Sequence, residues 1–194
     1  MRGHGVPSRP ARDECGASLV EAAIILPVVL LIVFGIIEFG LAFKNALTVN
    51  SGTRAGARTA SAEPRRLSFH ADTAAAVQKA ISALPLGSVQ ELWIYKADAD
   101  GHPDGGGSAY TSCTTCSVWT WNTVTSSFTR QAGTDWAPAS QNACVGDPNH
   151  DSVGVYLKVN HDFVTGFFGS RIALKDHVVM RLEPVPATGT GCRP

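Results

Sequence analysis

The chain reads as an α+β protein in which a long N-terminal transmembrane helix is followed by a domain built on an antiparallel sheet. Two patterns predict this class. From Ala22 to Ile37 the sequence AAIILPVVLLIVFGII runs for sixteen residues without an ionisable or hydrogen-bonding side chain. Beyond Pro85 the apolar period shortens from that of a helix to the two-residue alternation of strands.

The apolar run is bounded by Glu21 and Glu38. At ~1.5 Å per helical residue it covers roughly 24 Å, and Leu19, Val20, Phe39, Leu41 and Phe43 extend it to the ~30 Å of a bilayer core, a span of about residues 19–43. A helix buried in a globular core would carry a polar stripe, and four turns pass here without one. A secretory signal has a shorter apolar region, ~7–15 residues, with a small-x-small cleavage site directly after it. This run leads into FKNAL instead, so the helix is expected to be retained. Basic residues stand on both sides, with Arg2, Arg9 and Arg12 before it and Lys44, Arg54 and Arg58 after it. Charge therefore gives no orientation.

The helical pattern continues through KNALTVNSGTRAGARTASA and stops at Pro64, whose ring is incompatible with a helix interior. Gly52 and Gly56 form a Gly-x-x-x-Gly, which lets a second backbone come close. Their partner is either another subunit's helix or the chain's own sheet. A second helix is expected from Asp72, as N-cap, to Leu84, with Val77, Ala80, Ile81 and Leu84 as its apolar stripe. Strands are expected at Val89–Lys96 and at Val153–Asn160, where Val153, Val155, Leu157 and Val159 alternate with Gly154, Tyr156, Lys158 and Asn160. A last strand or strand pair covers Ile172–Leu182, and the Gly-rich stretch Asp98–Ser108 is a loop.

The residues ahead of the span carry a resemblance. Gly16, Ala17, Glu21, Pro27 and the string Phe34, Gly35, Glu38, Phe39, Gly40 resemble the N-terminus of the TadE-like family, pseudopilins of the tight adherence pilus system. Ala22 departs from that pattern, standing where an aromatic residue is common. The resemblance implies cleavage by a prepilin peptidase between Gly16 and Ala17. It divides the chain into a leader (1–16), an N-terminal helix (17–62) and an exported, pilin-like α+β domain (63–194). It also implies that Glu21, costly at a membrane boundary unless paired, meets the freed amine of Ala17 on a neighbouring subunit. The implied task is assembly of a tight adherence type pilus or related secretion apparatus from the cell membrane. Its partners are the peptidase, other minor pilins and the assembly platform, with the N-terminus cytoplasmic and the C-terminal domain outside.

Removing the leader removes Cys15 and leaves Cys113, Cys116, Cys144 and Cys192. An even number beyond a membrane anchor fits disulfides in an oxidising compartment. Of the possible pairings, one joining Cys113 or Cys116 to Cys144 is expected, since it closes the long loop carrying Trp119, Trp121 and Trp136. Zinc is not expected at Cys113-x-x-Cys116, because no second closely spaced pair accompanies it.

Composition and motifs narrow the remaining functions. Sixteen basic and sixteen acidic side chains cancel, which excludes a nucleic-acid module working through surplus positive charge. Asp98, Asp100 and Asp104 lack calcium-loop spacing and read as a polar turn. His150, Asp151, His161, Asp162, Asp176 and His177 follow no metal or general-base spacing and read as polar surface. There is no nucleophile elbow, phosphate loop or dinucleotide fingerprint. The expectation is no enzyme, no metal, no cofactor and no small-molecule substrate. The competing reading is a membrane-anchored extracytoplasmic binding module or hydrolase that shares only this anchor.

Overall fold

A computed structural model describes residues 13–85, 87–131 and 135–186, with side chains from Gly16 onward. It shows an α+β arrangement: two helices, α1 (Asp13–Ala62) and α2 (Phe69–Ala80), then five strands, β1 (Val89–Ala97), β2 (Cys116–Asn122), β3 (Ser127–Arg130), β4 (Ser152–Asp162) and β5 (Arg171–Arg181). The strands form one antiparallel sheet in the order β3-β2-β1-β4-β5. Two compact units divide the chain, the first ending at Leu41 and the second beginning at Ala42.

In the second unit, α2 and the end of α1 pack on one face of the sheet. Val153, Val155, Leu157 and Val159 of β4 point into this layer because side chains alternate along a strand. Each such buried side chain contributes roughly 1.5–3 kcal/mol relative to exposure. From α1 the core takes Val49, Ala57 and Ala60. A register shift between Val89 and Glu91 lets both Val89 and Leu92 face the helices.

The helix α2 begins three residues before the expected Asp72, with Ser68 at its N-cap and Asp72 in its first turn. Burial sets this start. Phe69 is fully buried and meets the Trp136 ring edge-on at 5.9 Å, so tertiary packing overrides the Asp capping preference. Strands β2 and β3 are further elements, turned by Asn122, whose Oδ1 accepts from the backbone N–H groups of Val124 and Thr125.

The opposite face of the sheet is aromatic and carries a lid. The segment after β1 folds back over Trp93, Tyr95 and Tyr156, and Tyr110 stacks on Tyr156 with ring centroids 4.0 Å apart. Tyr95 donates from its hydroxyl to the Gly101 carbonyl, 3.0 Å away. Gly154 is required beneath it, since a Cβ there would lie 2.1 Å from the Tyr95 ring. Asp98 caps the turn by accepting at Oδ1 from the N–H groups of Asp100 and His102.

The expected bridge from Cys113 or Cys116 to Cys144 is not formed. Cys113 and Cys116 bond to each other, their Cα atoms 6.0 Å apart, where the lid returns to enter β2. The loop doubles back within three residues, so the nearest thiol is the local one. Cys144 is itself disulfide-bonded, while Cys192 lies outside the described residues.

Candidate assembly site

Gly16, Ala17 and Glu21 all lie on α1, and all are exposed. Gly16 lies in the first described turn of α1. An added Cβ on Gly16 would meet nothing within 4 Å. Ala17 and Glu21 are separated by about one helical turn and share a face of α1. From Leu19 to Phe34 every apolar side chain is exposed. Helix α1 is the one described helix long and apolar enough to cross a membrane. Pro27 sits within it and withholds one backbone hydrogen-bond donor.

Gly52 and Gly56 lie in the second unit and meet the chain's own α2 and β4. A Cβ on Gly52 would come within 2.5 Å of Ile81 Cγ2, and one on Gly56 within 2.5 Å of Val77 Cγ2 and 3.2 Å of Val155 Cγ1. Polar side chains of α1 supplement this close approach. Asn45 Nδ2 lies 2.9 Å from His161 Nδ1, and Asp176 Oδ2 accepts from Asn50 Nδ2 at 3.1 Å and from the Thr53 hydroxyl at 2.5 Å. Ser61 donates from its hydroxyl to the Arg181 carbonyl at 2.7 Å. Sequence reading missed these polar contacts. Their signal was a set of hydrogen-bonding residues recurring on a helix that otherwise buries small and apolar ones.

The remaining polar candidates do not come together. His150 Nε2 lies 2.7 Å from the Cys144 carbonyl, and Asp151 pairs with Lys96 at 3.0 Å. Asp162 pairs with Arg171, which holds its carboxyl below the usual value. His177 stacks against His102 with centroids 6.3 Å apart. Burial, together with the nearby Glu91 charge and Tyr110, pushes the Tyr156 hydroxyl up to about 12. Among the described residues, no three of His, Cys, Asp or Glu gather as a metal site.

No curated protein and no solved structure matches the chain. The family model described as TadE-like protein matches residues 16–58. That stretch opens at Gly16, contains Glu21 and the apolar run, and ends beyond Gly56, so the chain carries a TadE-like N-terminal segment, which points to a tight adherence pilus system.

Proposed function

We propose that this chain is a minor pilin or pseudopilin that takes part in assembling a tight adherence type pilus or a related secretion apparatus. The observation that carries the reading is the matched segment, whose apolar side chains from Leu19 to Phe34 are all exposed. An exposed surface of this kind is stable only in lipid or against other helices. On this reading α1 crosses the cell membrane once, with the N-terminus cytoplasmic and the β domain outside, where the Cys113–Cys116 disulfide persists. A prepilin peptidase removes residues 1–16, residues 17–62 form the anchoring helix, and 63–194 the exported part. Glu21 then pairs with the terminal amine of a neighbouring subunit as other minor pilins and the platform assemble. The protein binds and positions partners, without catalysis or a cofactor.

The test is the mass of the mature chain from membranes with and without the peptidase. The expected N-terminus is Ala17 when the peptidase is present and the unprocessed chain when it is absent. An intact Met1 in both, or a start beyond Phe43, refutes pilin-type processing.

A further inference from the structure

We propose that the hairpin between β4 and β5 is a second membrane contact, which dips its apolar tip into the lipid interface. The proposal rests on the membrane reading of α1. Its first support is the placement of exposed apolar residues. In the loop that follows Asp162, Val164 is 74% exposed and Phe167 70%, and Ile172, at the start of β5, is 44% exposed. A soluble domain surface rarely gathers large apolar side chains in one hairpin.

The second support is direction. Within the second unit, the α1 residues Asn45, Gly52 and Gly56 lie against His161, Leu157 and Val155 in turn, so α1 runs antiparallel to β4. Beyond His161, β4 therefore advances toward the end of the unit where Ala42 and Phe43 lie. Those residues are joined directly to the apolar run. The hairpin tip thus lies at the end of the second unit where the chain passes into the apolar run. Leu67, 97% exposed, lies at the opposite end, beyond Ala62.

The third support is the hairpin's own construction. The Phe163 N–H donates to the Ser170 carbonyl and the Gly169 N–H to the Gly166 carbonyl, which lowers the cost of taking this backbone out of water. Gly166 and Gly169 have φ of +73° and +112°, conformations that favour glycine and close the turn tightly. At its base stand the Arg171–Asp162 pair and the exposed Lys44, charges suited to the headgroup layer. An apolar tip above a charged base is the profile of an interfacial lipid contact.

The experiment uses the full chain in vesicles of phosphatidylcholine and phosphatidylglycerol, with p-benzoylphenylalanine in place of Phe167, of Leu31 or of Leu67. After irradiation, adducts are mapped by mass spectrometry. Lipid adducts are expected at 31 and at 167, the latter yield roughly tenfold above that at 67. A label at Ile172 repeats the measurement should the first variant lose its native circular dichroism. Lipid capture at 31 with none at 167 overturns the hairpin contact and leaves the anchor standing. No lipid capture at either position removes the membrane reading itself. Adducts from 167 to a second copy of the chain overturn the proposal in favour of self-association.

Discussion

Gly56 shows how a residue without a side chain can govern packing. Alanine in its place would gain ~1 kcal/mol in helix propensity. That gain is opposed by a Cβ 2.5 Å from Val77 Cγ2, a β-branched side chain buried on all sides and unable to swing away. Overpacking of this kind costs ~1–3 kcal/mol, so the clash wins narrowly for alanine and clearly for a larger side chain. Gly56→Val is expected to lower the unfolding free energy of the second unit by at least ~1–3 kcal/mol, read as a lower denaturant midpoint. An unchanged midpoint would show that α1 leaves α2 free to shift. The sequence revealed the small pair but not its partner, because Gly-x-x-x-Gly encodes close approach and nothing about the chain that approaches.

At the level of elements, legibility followed the clarity of each period. In β4 the strict alternation from Val153 to Asn160 was readable because one face is buried along its whole length. Strands β2 and β3 were hidden, since TSCTTCSVWTWN mixes β-formers with turn residues and its Trp119 and Trp121 are only partly buried. Tyr110 could not be recognised as a lid residue, because its stacking on Tyr156 depends on a loop path that no local pattern encodes. The apolar part of α1 was readable by length alone, and its function is testable as one element. Glu21→Ala is expected to leave α1 inserted, resistant to carbonate extraction, while pilus formation falls to background. Glu21→Asp should restore part of it. Normal piliation in the alanine variant would refute the pairing role of that carboxylate.

The whole molecule couples its fold to pH through His70. The ring is buried between α2 and the segment carrying Trp136, and its Nε2–H donates to the Trp136 carbonyl at 2.8 Å. Burial lowers its pKa below 6.5, Arg130 adds to this, and the bond to Trp136 opposes it. The Nδ1 atom has no hydrogen-bond partner among the described residues, so a proton placed there would be a buried, unsatisfied donor. In the unfolded chain His70 takes up a proton at its ordinary value, while the folded chain resists it. Stability is therefore full above about pH 6.5 and declines as pH falls below that value. The thermal midpoint of the second unit should drop between pH 7.5 and 5.5, and His70→Gln should make that drop shallower. An equal slope in both proteins would assign the effect to other groups.

The antiparallel contact of α1 with β4 has a mechanical consequence. Within the second unit, tension applied along the axis of α1 meets fastenings to His161, Asp176 and the Arg181 carbonyl that are spaced along that same axis. They are loaded together, in shear, and cannot be unzipped one after another. A strain reaching this protein would therefore have to slide the helix out from the β domain as a unit.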